Sequence, residues 1–195
     1  MPDPYAQITE ADPEILEVII DALELRASDP QQVAMRETYF SWIGIEPKAR
    51  ILEGGCGTGA VARHLAKIDG SYEVVGLDPS PRLIQKAKEL SDGFSNLRFE
   101  EGDARSLPFD DASFDVVVFH TCLCHVPGAE KALEEAYRVL RPGGVGRPDL
   151  RRGDGGRNRG PEASQRTRDA RHRCHLRGRE RISRPLGRYG CAQVK

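Results

Sequence analysis

The chain has 195 residues, of which 29 are basic and 30 acidic, giving a formal net charge of −1. This length suits one domain with at most a small appendage, and five cysteines without paired spacing do not predict a disulfide framework. The sequence shows no basic-plus-apolar leader and no apolar run long enough to span a bilayer, so we expect a cytoplasmic protein with no membrane partner.

Two amphipathic helices are predicted before the first strand. Asp12-Pro13 and Asp29-Pro30 each supply an N-cap residue followed by a proline at the first helical position. Apolar residues at helical spacing follow both pairs. The sequence therefore predicts a helical segment over residues 1–45.

Strands and helices then alternate along the chain. The apolar runs of the strands lack period-two alternation, which is typical of parallel strands covered on both faces. Alternation of this kind predicts a doubly wound parallel α/β sheet that binds ligands at the carboxyl ends of its strands. The predicted strands are 50–53, 73–77, 97–100 and 114–119, and the predicted helices are 59–68, 80–90 and 129–140.

Glycines stand at alternate positions in the turn after the first predicted strand, at Gly55, Gly57 and Gly59. They let the backbone approach a ligand closely, and the following helix presents free N–H groups at its start. Asp78 ends the second strand, where its carboxylate can accept hydrogen bonds from a ribose. Glu53 ends the first strand, where it would repel a pyrophosphate and attract a cation. The pattern favours a nucleoside-type cofactor, and the alternative is a plain strand–turn–helix.

Residues 49–144 resemble the class I S-adenosylmethionine-dependent methyltransferases, in particular the group that includes the quinone-biosynthesis methyltransferases. The segments ILEGGCGTG, VVGLDPS, FEEGDARSLPF, FDVVVFHTCLCHV and EEAYRVLRPGG resemble that family's motifs in its order and spacing. The resemblance implies a Rossmann-like fold over residues 46–144, a lid formed by the helices of residues 1–45, and S-adenosyl-L-methionine as cofactor. It implies methyl transfer to a small-molecule acceptor that the motifs do not identify.

The resemblance also implies roles for individual residues. Glu53 and the turn amides would hold the methionine part of the cofactor, Asp78 the ribose hydroxyls, and Asp103 the adenine amine, with the backbone of Ala104 nearby. The expected cofactor-binding set is Glu53, Gly55, Cys56, Gly57, Gly59, Asp78, Asp103, Ala104 and His120.

His120 and His125 are the candidates for a general base, because both follow the fourth strand, where the family places residues that face the acceptor. The alternative for each is a surface or supporting histidine. We expect no metal site, because Cys122, Cys124 and His125 have poor spacing for zinc. The family's amine-methylating members carry Asn-Pro-Pro-aromatic after this strand. The chain lacks that signature and residues 1–144 have a net charge of −11, so a nucleic acid acceptor is not expected.

The pattern ends after Gly144, where the family resemblance calls for a fifth strand. Of the 51 residues 145–195, 25 are Arg, Gly or Pro, and the net charge is +10. This composition predicts a sheet truncated after its fourth strand and a disordered arginine-rich tail. Three hypotheses for the tail remain open: a nucleic-acid-binding arm, an inert tail, or a changed reading frame. If the later strands are missing, the chain is a non-catalytic cofactor-binding fragment.

Overall fold

The computed structural model describes residues 3–145. Its five strands form one sheet in the order β3-β2-β1-β4-β5, and every neighbouring pair is parallel. The predicted Rossmann-like α/β fold is therefore confirmed. The strands are β1 Arg50–Gly54, β2 Glu73–Asp78, β3 Leu97–Glu101, β4 Phe114–Val118 and β5 Leu140–Val145.

Five α-helices surround this sheet, and their positions agree with the predicted ones to within two residues. They are α1 Pro13–Ser28, α2 Pro30–Ile43, α3 Ala60–Ile68, α4 Pro81–Glu89 and α5 Ala129–Val139. Short 3-10 helices lie at Ile8–Glu10 and Leu123–His125. No helix among residues 3–145 combines the length and the apolar composition that a membrane span requires.

The fifth strand corrects the prediction that the sheet ends after its fourth. Leu140 is buried and pairs with Phe114, so β5 begins where α5 ends. The sequence LRPGG resembles a turn because Pro142 has no N–H to donate and Gly143 takes a φ of +88°. The backbone nevertheless stays in the sheet through a register shift against β4. Beyond Val145, the predicted tail and the three hypotheses about it lie outside the described residues.

Both faces of the sheet are covered, which explains the unbroken apolar runs. Ile51 and Leu52 are neighbours in β1, point to opposite faces, and are each fully buried. Ile51 packs in a cluster with residues of α2, α3 and α4, whereas Leu52 packs with Val139 of α5 and with Phe114. Burial on both faces places the ends of β1 and β2 at the centre of the molecule.

The N-terminal helices begin as the sequence predicts. The Asp12 side chain accepts a hydrogen bond from the Glu14 N–H, and the Asp29 side chain accepts bonds from the N–H groups of Gln31 and Gln32. These caps satisfy N–H groups that lack a partner within the helix. Helix α1 then packs its Ile20 against Leu83 of α4.

Ion pairs add further links between α1 and the sheet domain. The Glu24 carboxylate binds Arg63 of α3 at 2.9 Å, and Glu17 binds Arg82 of α4 at 2.7 Å. Helix α1 is thus tied to the two helices α3 and α4 of the sheet domain. That residues 1–45 act as a lid remains a prediction.

Candidate functional site

A cavity of about 300 Å³ lies between the strand ends and the N-terminal helices. Its volume is at the lower end of the range for small-molecule sites. Eight of the nine predicted cofactor-binding residues line it, together with His125; the eight are Glu53, Gly55, Cys56, Gly57, Asp78, Asp103, Ala104 and His120. Strands that are distant in sequence thus bring the predicted residues together.

Gly59 is the predicted residue that lies outside the cavity lining. It precedes α3 with a φ of +77°, and its N–H donates to the Cys56 carbonyl oxygen at 2.8 Å. A Cβ atom at this position would lie 2.5 Å from the Phe99 ring. The glycine is required by the turn and by the core packing beneath it.

The N–H groups of the glycine turn are bonded within the protein. Those of Gly55 and Cys56 both donate to the Leu77 carbonyl oxygen, at 2.8 and 3.0 Å, and that of Gly57 donates to Oδ2 of Asp78 at 2.8 Å. The end of β2 thus already accepts the hydrogen bonds of these amides. That they contact the ligand remains a prediction. The turn contributes close approach of its backbone and a fixed position for Asp78.

Glu53 is a carboxyl group buried at the end of β1. Its side chain is 2% exposed and its Oε2 atom has no hydrogen-bond partner. Burial raises the pKa of Glu53 to about 8; the backbone N–H of Ala62 opposes this rise, the nearby Asp78 adds to it, and Arg63 and Arg36 oppose it weakly. A cation in the cavity would favour the ionised form and supply the missing partner.

Asp78 accepts backbone hydrogen bonds on both carboxylate oxygens. Ser80 N–H donates to Oδ1 at 3.0 Å, and Gly57 N–H donates to Oδ2. Burial raises the pKa of Asp78 and these two bonds oppose the rise. Each carboxylate oxygen can accept more than one bond, so the side chain is held in place and retains acceptor capacity for ligand hydroxyls.

Asp103 follows β3 and pairs with Arg105. Nη2 of Arg105 lies 2.6 Å from Oδ2 of Asp103, and the Arg105 N–H donates to Oδ1 at 2.8 Å. The hydrogen bonds from the Arg105 side chain lower the pKa of Asp103, although burial raises it. Asp103 is therefore an ionised acceptor at the cavity wall, next to Ala104.

His120 is held by a tyrosine that does not itself line the cavity. Its Nδ1 atom lies 3.0 Å from the Tyr39 hydroxyl oxygen, and the two rings stack at 5.9 Å. Burial, with contributions from Arg26 and Arg36, lowers the pKa of His120 to about 4. The imidazole is therefore neutral at physiological pH, and its lowered pKa makes it a weak base.

His125 joins the N-terminal segment to the loop after β4. Its Nδ1 atom lies 2.7 Å from Oδ2 of Asp3, and its ring lies 4.7 Å from the Tyr5 ring. These contacts support a positioning role, and the catalytic assignment of either histidine remains a prediction.

Arginine side chains of the N-terminal helices also reach the cavity, which sequence reasoning missed. Arg26 of α1 donates from Nη2 to the Thr121 hydroxyl at 3.1 Å. Arg36 of α2 is only 5% exposed. Gln32, one helical turn before Arg36, lines the cavity too. Residues four apart lie on the same face of a helix, and this spacing could have indicated a polar face of α2.

The thiols of this site are poor nucleophiles. Cys122 donates from Sγ to the Gly54 carbonyl oxygen at 3.1 Å, and burial raises its pKa to about 12. Burial also raises the pKa of Cys56. A thiol in this state stays protonated at neutral pH.

Within the described range 3–145 no group of three His, Cys, Asp or Glu residues is placed to hold a metal ion.

Residues 52–146 match a family model described as a methyltransferase domain. This part of the chain is thus similar to the methyltransferase domain family. The chain is 35% identical over 126 residues to a demethylmenaquinone methyltransferase of Staphylococcus epidermidis, covering 64% of this chain and 52% of the relative. It is 37% identical over 119 residues to a sterol 24-C-methyltransferase of Gibberella zeae, covering 59% and 31% respectively.

The chain therefore spans about half the length, or less, of these curated relatives. A solved structure of an Aquifex aeolicus SAM-dependent methyltransferase superposes with a TM-score of 0.57 at 21% identity, covering 68% of this chain and 69% of that one. At this identity the likeness concerns the fold. It agrees with the parallel sheet described above.

Proposed function

We propose that the chain binds S-adenosyl-L-methionine in this cavity and serves in methyl transfer to a small-molecule acceptor. The observation that carries the proposal is that Glu53 and Asp78, at the ends of the neighbouring strands β1 and β2, line the same cavity. One is a buried carboxyl group without a partner for Oε2, and the other is a carboxylate fixed by backbone amides. The first suits a cation and the second suits ribose hydroxyls.

The chemistry of the lining supports this cofactor. The carboxyl group of Glu53 at the end of β1, once ionised, would repel the pyrophosphate of a dinucleotide and attract a sulfonium or ammonium group. Asp103, as an ionised acceptor, suits an amine such as that of adenine. When bound, the cofactor would supply an electrophilic methyl group on sulfur.

The protein's own part is to orient the reactants and exclude water. Asp78 and Glu53 would fix the cofactor against the strand ends. His120, neutral and held at Nδ1 by Tyr39, would accept a proton from an acceptor that must lose one. The thiols of Cys56 and Cys122 would stay protonated and take no part.

The names of the relatives support a small-molecule acceptor, since sterols and demethylmenaquinone are such compounds. The acidic sheet domain agrees with this choice over a nucleic acid. The cytoplasmic location expected from the sequence belongs to the same proposal, and the free thiols of Cys56 and Cys122 support it.

Isothermal titration of S-adenosylmethionine into the 195-residue chain tests cofactor binding. We expect a saturable 1:1 interaction that S-adenosylhomocysteine competes for, because both contain the same adenosine and amino acid groups. Absence of binding would refute the proposal. A second assay with radiolabelled cofactor and small phenols or quinols tests transfer; binding without transfer to any acceptor would favour a non-catalytic cofactor-binding fragment.

A further inference from the structure

Helix α1 has a second apolar face, which is exposed to solvent. It consists of four residues, called the apolar stripe below: Ile15, Val18, Ala22 and Leu25. Val18 and Leu25 are 68% and 75% exposed, and Ile15 is 50% exposed. Among residues 3–145, the cluster that packs α1 against α4 contains none of the four. Contiguous exposed apolar surface on a folded protein is typical of an interaction site.

The spacing of the apolar stripe suits a second helix as its partner. Its residues recur three and four positions apart, which is the spacing of positions a and d in a heptad. Ile15 and Ala22 occupy position a, and Val18 and Leu25 occupy position d. A β-branched residue at a with a leucine at d is typical of two parallel helices that pack side by side.

The charges beside the stripe complement those of an identical, parallel helix. In such a pair, position g of one helix faces position e of the other, five residues further along. Asp21 is at position g and Arg26 is at position e, and both are exposed. Nη2 of Arg26 donates to the Thr121 hydroxyl at 3.1 Å, and the guanidinium group has further N–H donors. Two equivalent pairs of Asp21 with Arg26 would therefore form across the interface.

An antiparallel pair of helices lacks this complementarity. Two-fold symmetry then places position g of one helix on the same side as position g of the other. Glu14 and Asp21 are both at position g and both exposed, so carboxylates would face carboxylates and oppose the association. The charges beside the stripe therefore favour the parallel orientation.

The area of the stripe indicates how strong the association is. The four side chains expose roughly 350 Å² of surface per copy, compared with about 800 Å² per partner in a standard stable interface. Helix α1 is already formed and is held to α3 and α4 by ion pairs, so association requires no helix nucleation. A weak, reversible dimer is the expected result.

We infer that two copies of this chain pair in parallel through the apolar stripe of α1, with Asp21 of each copy bound to Arg26 of the other. The occupant of the stripe is thus a second copy of the chain. Arg26 also lines the cavity, so the contact joins the dimer interface to the wall of the candidate site. The inference is independent of the proposed function, because it requires neither the cofactor nor a methyl acceptor.

Analytical ultracentrifugation of the 195-residue chain measures this association. We expect a monomer–dimer equilibrium with a Kd of roughly 10–100 µM, because the stripe is small for a stable interface. Leu25→Glu places a charge within the stripe and should abolish the dimer. Trp42→Glu is the matched control, because Trp42 of α2 is 76% exposed but lies outside the stripe. Its Kd should stay within about 2-fold of the wild-type value.

Charge reversal tests the identity of the partner and its orientation. Asp21→Lys and Arg26→Glu should each weaken self-association roughly 10-fold, because like charges then face each other at both pairs. An equimolar mixture of the two variants should dimerise about as well as the wild-type chain, since each pair then joins opposite charges. Glu134→Lys changes an exposed acidic residue of α5 and should leave the Kd unchanged. Circular dichroism of each variant shows that it is folded.

A chain that stays monomeric well above the expected Kd would overturn the inference, as would a mixture of the two charge variants that fails to associate. Stronger self-association of Asp21→Lys would mean that the helices pair antiparallel and would contradict the parallel dimer. Phosphatidylcholine vesicles test the other class of partner. If they bind the wild-type chain as a monomer and do not bind Leu25→Glu, the stripe contacts a lipid surface and the dimer is refuted.

Discussion

The cavity has two walls, and different interactions hold them. The strand wall consists of the ends of β1 and β2 with the glycine turn at residues 55–59, and the helical wall consists of α1 and α2. At the strand wall, the backbone N–H groups of the glycine turn donate hydrogen bonds to Leu77 and Asp78. Strands β1 and β2 are buried on both faces. At the helical wall, α1 is held by ion pairs such as Glu24–Arg63 and by one small apolar cluster. The comparison shows that the strand wall is fixed by backbone hydrogen bonds, whereas the helical wall is held by side-chain contacts, including those of Phe40 of α2 in the main core.

The largest expected effect is on the stability of the fold, when Gly59 in the turn of the strand wall is given a side chain. Gly59→Ala places a Cβ atom 2.5 Å from the Phe99 ring at a residue with φ of +77°. We expect the free energy of unfolding, measured by urea denaturation, to fall by about 3 kcal/mol from the combined backbone strain and overpacking.

Gly128→Ala is the matched control for that variant. Gly128 also precedes a helix, α5, with a φ of +71°, but a Cβ atom there would meet nothing within 4 Å. For Gly128→Ala the free energy of unfolding should fall by about 1 kcal/mol, from backbone strain alone. Equal losses in the two variants would contradict the packing role assigned to Gly59.

Removing the carboxylate of the strand wall should affect binding more than stability. Asp78→Ala deletes the acceptor proposed for the ribose and the partner of the Gly57 N–H. We expect affinity for S-adenosylmethionine to fall roughly 10- to 100-fold in titration. Asp69→Ala, which likewise removes a bond to a backbone N–H, that of Ser71, lies away from the cavity and should leave affinity unchanged. A similar loss in both variants would rule out a specific role for Asp78.

Glu53 should make cofactor binding depend on pH. With its pKa raised to about 8, the carboxyl group is mostly protonated at pH 7 and must ionise to hold a cation. Binding of S-adenosylmethionine at pH 7 should therefore release about one proton, which titration in buffers of different ionisation enthalpy measures. Glu53→Gln should bind without this release, and identical proton release in the variant would exclude Glu53 as its source.

The same group affects stability in the absence of ligand. Because the folded-state pKa of about 8 lies above the ordinary value of 4.5, the folded chain holds a proton that the unfolded chain has lost between these pH values. The contribution of Glu53 to the free energy of unfolding is therefore fully present below pH 4.5 and is lost as pH rises through 8. Urea denaturation of the wild-type chain should show this decline relative to Glu53→Gln, and parallel curves for the two proteins would contradict it.

The smallest expected effect concerns the helical wall. Glu24→Gln removes the ion pair to Arg63, whose side chain is 12% exposed, and should lower the free energy of unfolding by about 0.5–1 kcal/mol. Glu73→Gln, which removes the more exposed pair to Arg50, is the control and should cost about 0 to 0.5 kcal/mol. A fall in the free energy of unfolding of more than 2 kcal/mol for Glu24→Gln would contradict the small contribution assigned to the Glu24–Arg63 ion pair.

The sequence predicted the strand wall better than the helical wall. Buried parallel strands and a glycine turn have local signatures, so the positions of Glu53, Gly55 and Asp78 at the strand ends agree with the prediction. Their roles toward the cofactor remain predictions. The partners of the turn amides could not be predicted, because the Leu77 carbonyl oxygen approaches them only once β1 and β2 pair. Arg36 was missed because a basic residue on a helix is usually solvated.

The fifth strand was missed for a related reason. Its proline and glycines favour a turn, and the strand forms because Leu140 pairs with Phe114 of β4 in the assembled sheet. In both cases local propensity was overridden by contacts between distant segments. The prediction was therefore accurate where the signal is local and incomplete where tertiary contacts decide.

A crystal structure of the chain with bound S-adenosylhomocysteine tests the central claim most directly, namely that the two walls bind one cofactor. The ribose hydroxyls should lie about 3 Å from the Asp78 carboxylate, with the amino group near Glu53 and the cavity-lining residues of α1 and α2 in contact with the ligand. Such a complex would show both walls engaged with the same ligand. A ligand bound elsewhere, or one that leaves Glu53 and Asp78 without contact, would contradict the claim.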